Sequence, residues 1–578
     1  MPPGEGHDLL HVSGYLPPGE GHDLLPVTLG TMSMTSTAHA KGRTTAPAAP
    51  GRARDPLEVV EARRRRSFAV ISHPDAGKST LTEALALHAH VLNRAGAIHG
   101  KDGRGGTVSD WMDIERERGI SITSAALQFT YRDTVINLVD TPGHADFSED
   151  TYRVLSAVDA AVMLVDAAKG LEVQTMKLFE VCKHRNIPII TVINKWDRPG
   201  REALDLMDEI SQRTGLQPAP LNWPVGIAGD FRGVLDMMTG EYLKFTRTDG
   251  GATVAPEDHL SAEAAGALEG EAWLRAVEES DLIVATGAGH DPEGFLAATS
   301  TPVMFGSAVL NFGVRFLLDT LVDLAPAAGA RADAGGRLRE IDSPFSAFVF
   351  KIQAGMNVAH RDRLAFIRIC SGTFERGMVV THSATNRPFA TKYAQQVMGR
   401  ERTSLDIAFP GDVVGLVNAN ALRVGDTLFV DEPVTFPPIP SFSPEHFAVA
   451  RAKDSSRYKQ FRRGIEQLDH EGVVQVLRSD LRGDQAPVLA AVGPMQFEVA
   501  EHRMANEFNS PISLDALAYS LARRTDAEGS ERLRGQRGVE VLSRSDGVLL
   551  AVFSDRWRLQ SVERDLADIL LAPLVVSL

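Results

Sequence analysis

Ser72-His73-Pro74-Asp75-Ala76-Gly77-Lys78-Ser79 lies between an apolar run, Phe68 to Ile71, and a helical pattern that begins at Thr80. Strand, glycine-lysine loop and helix, in that order, are the context a phosphate-binding loop requires. Backbone N–H groups between Ser72 and Thr80 can line a concavity, the helix places its positive dipole end on the same spot, and Lys78 adds a mobile charge for the outer phosphates. Ser79 offers a hydroxyl to a magnesium ion. The loop departs from G-x-x-x-x-G-K-[ST] at one position, where Ser72 replaces the first glycine. A glycine-containing helix start is the plain alternative, and the residues further along the chain decide between the two.

Beyond this loop the pattern alternates. A helix is expected through about Arg94, then a Gly-rich polar stretch, Gly100 to Gly106, and then Glu115-Arg116-Glu117-Arg118-Gly119-Ile120-Ser121-Ile122-Thr123. A polar loop ending in hydroxyl residues suits a switch, in which Ser121 or Thr123 reaches the magnesium when a γ-phosphate is present and lets go when it leaves. The strand Val135 to Val139 runs into Asp140-Thr141-Pro142-Gly143-His144. An acidic residue at the C-terminal end of a buried strand is where a carboxylate holds magnesium, directly or through water. Gly143 frees its N–H to approach the γ-phosphate, and His144 is placed to orient the attacking water, a positioning role more than a strong-base role.

Two more strand-helix units come next, Ala160 to Val165 with Glu172 to Arg185, and Ile187 to Ile193 with a helix from Glu202, which means a parallel sheet with crossovers. The second strand ends in Asn194-Lys195-Trp196-Asp197. The Asp197 carboxylate can accept the N1–H and N2 amino hydrogens of guanine, for which adenine has no matching donor pair, and Lys195 can cover the ring with its alkyl stem. Pro302 to Ala308 reads as the last strand and its loop, with Ser307 and a backbone N–H near Ala308 that can bond guanine O6. Four elements in this order, each at a strand end, predict a GTP/GDP site in an α/β P-loop domain over residues 63–326. An insertion, about Ala219 to Gly289, separates the guanine elements, and pattern alone gives it no purpose.

At 578 residues the chain is too long for one core. A formal charge of −15 excludes a uniformly basic nucleic-acid binder, so RNA contacts have to come from local Lys/Arg patches. Arg63 to Arg66 can face RNA or form a solvated helix side. Cys182 and Cys370 are far apart and lack metal-ligand spacing, which suits a reducing cytoplasm and no disulfide. No apolar run of about 18 residues or more suggests a membrane span. Residues 2–10 recur unchanged at 17–25, and the Pro-, Gly- and Ala-rich segment to about Arg54 is expected to form a disordered leader, with linker to residue 62 and a true start at Met32 or Met34.

From Phe345 to about Phe436 short alternating segments with turn signals at Ser371-Gly372 and Pro410-Gly411-Asp412 predict a small antiparallel β-barrel, residues 340–436. After a proline-rich link, residues 441–578 mix helical spacing (Tyr458 to Leu468, Met495 to Asn506) with strands (Val473 to Arg478, Val488 to Val492, Val548 to Phe553), an α+β domain. Arg457, Lys459, Arg462 and Arg463 there can form an RNA-facing patch or a solvated helix side.

The phosphate loop beginning at Ser72, the switch text Arg118 to Thr123, Asn311-Phe312-Gly313-Val314, and Ser554-Asp555-Arg556-Trp557-Arg558-Leu559-Gln560 together resemble the translational GTPases, and within them the release factor 3 family of bacterial class II release factors, from about residue 60 onward. In relatives such as elongation factor G a threonine stands at the Ser121 position and binds magnesium. The resemblance implies a β-barrel after the nucleotide domain and a ribosome-stimulated GTPase, with Lys78 and His144 as its catalytic residues and magnesium as cofactor. It also implies cytoplasmic work in termination, in which the GTP form helps remove the class I peptide release factor after the peptide is freed. Expected partners are the ribosome, both rRNA and ribosomal proteins, and class I release factors, with neither membrane nor DNA. Another translational GTPase, a translocase or recycling factor, is an alternative, disfavoured because two further C-terminal domains of elongation factor G have no counterpart. A GTP-dependent ribosome-binding displacement module is a second. Deleting residues 1–31 should leave the thermal midpoint and GTP hydrolysis unchanged, since the segment has neither amphipathic period nor apolar content for docking; a marked fall in the midpoint would show that it is structural.

Overall fold

The computed structural model describes residues 55–90, 115, 122–248, 253–354, 363–398, 401–417, 419, 421–439, 442–483 and 485–574. The expected leader up to residue 54, the Gly100 to Gly106 stretch and Ser121 lie outside the described residues.

The first strand, β1 (Arg65–Ser72), shows why its sequence is apolar without alternation. Phe68 and Val70 face one helical layer, packing with Leu81, Leu85, Leu317 and Leu321. Ala69 and Ile71 face the opposite layer, with Val154, Leu155, Leu178 and Phe179. A strand covered on both faces is what a parallel sheet between helices demands. Around it stand β2 (Ala125–Tyr131), β3 (Thr134–Asp140), β4 (Ala160–Asp166), β5 (Ile189–Asn194) and β6 (Gln217–Pro220). An inserted antiparallel sheet, β7 (Asn222–Val225) to β10 (Glu257–Leu260) through β8 (Gly233–Asp236) and β9 (Tyr242–Phe245), precedes the last strand, β11 (Ser300–Phe305). The main sheet runs β2-β3-β1-β4-β5-β11-β6, parallel except for the antiparallel edge strand β2. Its helices are α1 (Leu57–Arg63), α2 (Lys78–His88), α3 (Ser148–Ala157), α4 (Val173–His184), α5 (Ala203–Thr214), α6 (Ala262–Glu269), α7 (Glu271–Ala285), α8 (Pro292–Leu296) and α9 (Val314–Leu324). The insertion, silent as pattern, is thus a small sheet backed by α6 and α7, with Trp223, Tyr242 and Trp273 buried between them.

Next comes an antiparallel eight-stranded sheet built mainly on Ser346–Ala354 and Arg363–Ser371, curled around Val349, Ile367, Phe374, Val414 and Leu416. The last part is a seven-stranded antiparallel sheet from His446–Ala452 to Leu549–Phe553. It carries α10 (Tyr458–Glu471), α11 (Met495–Asn506), α12 (Ala527–Leu533) and α13 (Arg556–Asp565). The multidomain class is therefore the expected one: α/β nucleotide fold, curled antiparallel sheet, and α+β end. Among the described residues no helix is long and apolar enough to cross a membrane.

Two expectations change. Part of the stretch read as linker is helix α1, held because Ala62 packs inward and Glu61 pairs with Arg64 and Arg65. The four-arginine run is divided between this helix and β1, and Arg65 is neither RNA-facing nor solvated: its Nε lies 2.8 Å from Asp412 Oδ2, both side chains buried. Asp412 belongs to the curled sheet's rim and also accepts from Gln128 (2.8 Å) and Asn137 (3.2 Å). With Ser67 Oγ donating to the Gly411 carbonyl at 2.7 Å, this carboxylate fastens the second domain to the first. Asp412→Ala takes the acceptor from buried Arg65 Nε, whose Nη1 keeps Glu61, and from two side-chain amides, so we expect a loss of about 2 kcal/mol, read as a lower urea midpoint. An unchanged midpoint would show that the junction is held elsewhere.

Candidate functional site

Parallel register decides what meets at the sheet's C-terminal edge. Val70 is level with Asp140, Ser72 with Leu164, and Asp166 with Asn194. The ends of β1, β3, β4 and β5 therefore open on one crevice, where ligands of such sheets bind.

The loop after β1 turns twice through left-handed backbone, at Asp75 (φ 65°) and Gly77 (φ 96°), before α2 starts at Lys78, two residues earlier than its pattern predicts. Gly77 is required on two counts: its φ is unfavourable for an L side chain, and a Cβ there would stand 2.5 Å from Asn194 Nδ2. Lys78, Ser79 and Thr80 form the first turn of α2, with Lys78 buried. Gly143 lies directly over the loop, where an added Cβ would be 3.1 Å from Lys78 Nζ and 3.4 Å from Pro74 Cα. His73 is packed beneath the loop, its Nδ1 3.4 Å from Thr175 Oγ1 and its Nε2 3.3 Å from Glu172. Burial pushes its imidazole pKa down, so it stays neutral and supports the loop from below.

Asn194 is the hub of the crevice between the ends of β5 and β11. Its Nδ2 donates to the Ala76 carbonyl at 2.8 Å, and its Oδ1 accepts the Ala308 N–H at 2.9 Å. One amide thus ties the phosphate loop to the loop after β11. Lys195, itself left-handed, sends Nζ to the Asp75 carbonyl and to Asp166 Oδ2, the latter at 2.9 Å. Burial works to raise the Asp166 carboxyl, but the Lys195 ammonium and the Ala168 N–H outweigh it and hold the pKa below its ordinary value. Asp197 Oδ1 accepts from Ser307 Oγ at 2.5 Å, which orients the carboxylate, while Trp196 is buried edge-on to Phe305. Sequence reasoning passed over Asp166, although an aspartate closing the apolar run Ala160–Asp166 is the same signal that singled out Asp140.

Across the phosphate loop, Asp140 is buried at the end of β3, and Thr141 Oγ1 donates to the Val70 carbonyl at 2.8 Å. Pro142 accepts from Thr151 Oγ1 at 3.2 Å, which pins the chain ahead of Gly143. His144 begins a 3-10 turn: its Nδ1 accepts the Asp146 N–H at 3.2 Å, and the side chain is about one-third exposed. The carboxylate of Asp146 in turn accepts the Met495 N–H at 2.8 Å, so the His144 turn touches the C-terminal domain. Thr123, one of two hydroxyls considered for the switch, is committed to Glu115, which also accepts the Ile122 and Thr123 N–H groups at 2.9 and 3.0 Å. Among the described residues no group of three or more His, Cys, Asp or Glu could hold a metal by itself. Ser79 and the buried Asp140 carboxylate are hard oxygen donors, and few protein ligands fit a magnesium ion that takes the rest of its shell from phosphate and water.

Comparison with known proteins gives consistent assignments within residues 63–563. Residues 63–327 match the Elongation factor Tu GTP binding domain, 344–431 Elongation factor G domain 2, and 436–563 the Class II release factor RF3, C-terminal domain. Peptide chain release factor 3 of Symbiobacterium thermophilum is 46% identical over 506 residues, 86% of this chain and 96% of that protein. The Synechocystis protein of the same name is 45% identical over 540 residues, 92% of this chain and 98% of that one. A solved structure, that of ttk003000868 from Thermus thermophilus, superposes with a TM-score of 0.63 over 84% of this chain and 71% of its own, at 19% identity, a likeness of fold.

The orientation of Asp197 generates a direct test. Asp197→Asn replaces one of two acceptors with a donor, so base preference should move from guanosine toward xanthosine nucleotides in equilibrium binding. An unchanged preference for GTP over XTP would remove Asp197 from base recognition.

Proposed function

The chain belongs to the peptide chain release factor 3 family, and from that premise we propose how its residues hydrolyse GTP and what the hydrolysis accomplishes. Membership makes it a GTP-binding, ribosome-interacting GTPase of translation termination. The observation that carries the residue-level reading is the Asn194 amide, which holds the phosphate loop and the guanine loop in one crevice.

On this reading the backbone from Ser72 to Thr80 and the Lys78 ammonium hold the β- and γ-phosphates, and Gly143 N–H meets the γ-phosphate. Asp197, Lys195, Ser307 and the Ala308 N–H recognise and cover guanine. Binding the base requires the Ala308 N–H to be shared with, or turned away from, Asn194 Oδ1. Ser79, Asp140 and Ser121 would hold magnesium, which would supply charge neutralisation for the phosphates. His144 places the attacking water with Nε2, since Nδ1 is engaged by the Asp146 N–H. Charge on the departing phosphoryl group is met by Lys78 and backbone N–H groups already in position, so little reorganisation is needed.

Residues 63–326 carry this chemistry in the cytoplasm, and 340–436 and 441–578 present the surfaces that meet rRNA and ribosomal proteins. Switching in the first domain is transmitted to these surfaces and removes the class I release factor from the ribosome once the peptide has left. His144→Ala should keep GTP affinity while lowering ribosome-stimulated single-turnover hydrolysis by about two orders of magnitude, leaving the variant trapped on ribosomes. Equal loss of binding and hydrolysis would make His144 a structural residue of the pocket, and unchanged hydrolysis would mean another group positions the water.

A further inference from the structure

Two helices of the C-terminal domain end against the turn that carries His144, and each end receives the charge its dipole favours. α11 starts behind Pro494, whose side chain has no acceptor for the helix's first N–H groups, and the Asp146 carboxylate of the nucleotide domain takes the Met495 N–H at 2.8 Å. α10 stops at Glu471, whose carbonyl accepts from Arg153 Nη1 of α3 at 3.3 Å. Both landing places are glycines. A Cβ built on Gly493 would fall on the Asp146 carboxylate, and one built on Gly472 would fall on the Arg153 guanidinium. Gly472 also serves a left-handed turn, at φ 73°, but Gly493 lies outside that region, so what its missing side chain provides is room for Asp146. Phe147, next in the chain, packs with Ile122 against Val499 of α11 and seals the contact.

The same carboxylate reaches back to the histidine. Asp146 Oδ1 lies 3.3 Å from His144 Nδ1, the nitrogen that accepts the Asp146 N–H, while Oδ2 holds Met495. The Asp146 side chain is thus largely buried and fixed from another domain, whereas the imidazole it faces is about one-third exposed. Phe147 stands edge-on to that imidazole at 6.2 Å between ring centres, so both neighbours that set the ring are themselves seated on α11. We propose that Asp146 is the positioning residue of His144, and that the C-terminal domain, by seating Asp146 against Gly493 and the Met495 N–H, fixes the direction in which Nε2 is presented to water. This rests on the reading of His144 as the residue that places the attacking water. Free rotation would spread Nε2 over several rotamers, and misplacement by about 1 Å is enough to slow a positioned step roughly a hundredfold. Hydrolysis then depends on how the C-terminal domain is docked.

The test is single-turnover GTP hydrolysis by the full chain on saturating ribosomes, with GTP affinity and the half-saturating ribosome concentration measured alongside. Gly493→Ala alters no residue of the nucleotide domain, yet its Cβ must displace the Asp146 carboxylate, and the rate should fall about tenfold with both binding constants unchanged. Asp146→Ala should fall as far and introduces no clash, so it carries the test if Gly493→Ala melts early. Asp146→Asn keeps an acceptor for the Met495 N–H and should recover most of the rate. Adding Gly493→Ala to Asp146→Ala should cost nothing more, and neither change should slow His144→Ala further, because the effect passes through the imidazole. A merely structural contact would lower hydrolysis equally with and without His144, and that result would overturn the proposal. An unchanged or faster rate in Asp146→Ala, beside a slow His144→Ala, would overturn it too while leaving the water-placing reading intact. A wild-type rate in His144→Ala would instead remove that reading, and this proposal with it.

Discussion

A single side-chain amide sets the geometry of the nucleotide crevice. Asn194 Nδ2 holds the carbonyl of Ala76 and Asn194 Oδ1 holds the N–H of Ala308, so loops from the ends of β1, β5 and β11 cannot drift independently. Each bond is worth only about 1 kcal/mol net, but a buried amide left with an unmade bond costs more than the bond contributes. The constraint reaches further because Gly77 packs against the same amide, leaving no room for a Cβ. Inserting a whole antiparallel sheet and three helices, α6 to α8, between β6 and β11 is tolerated, since β11 returns to pair with both β5 and β6. The insertion grows outward from the sheet edge and reaches back to the Asn194–Asp197 loop through the Gly229 N–H, which donates to the Trp196 carbonyl at 2.9 Å.

The other end of the crevice is shared with the rest of the molecule. The His144 turn meets the C-terminal domain through Asp146 and Met495, and Ile122 and Phe147 pack against Val499 in a small apolar cluster. Lys351, from the curled sheet, is buried against Ser124, with its Nζ 2.8 Å from Ser124 Oγ. Burial holds its ammonium pKa below the ordinary value, although the Asp150 and Glu115 carboxylates of the nucleotide domain pull the other way. The chain just before β2 and just after β3 is thus fastened to both other domains.

Much of this was legible in the sequence because phosphate and guanine recognition rest on short stretches at strand ends. Ser72 to Ser79, Asp140 to His144 and Asn194 to Asp197 each announce a backbone shape as well as a side chain, and the structure brings all three to one edge. Fold class followed from spacing of apolar runs, which both-face burial of β1 enforces locally. What stayed hidden was long-range. Arg65 looked like part of a basic run because its partner Asp412 lies 347 positions away by numbering. Glu115 gave no sign that it would gather the N–H groups of Ile122 and Thr123, and the acidic, Ala-rich insertion gave no period that distinguished a small sheet from a loop. Pattern reports what neighbours in the chain share, and these features depend on neighbours in space.

The central claim is that the nucleotide state of this crevice drives departure of a class I release factor from the ribosome. Its most direct test is the dwell time of a labelled class I factor on ribosomes after peptide release, measured with this protein and GTP, GDP or ATP. The account predicts that dwell time shortens with the protein and GTP and stays long with ATP or without the protein. An unchanged dwell time, in a reaction where the same preparation hydrolyses GTP on ribosomes, would contradict it.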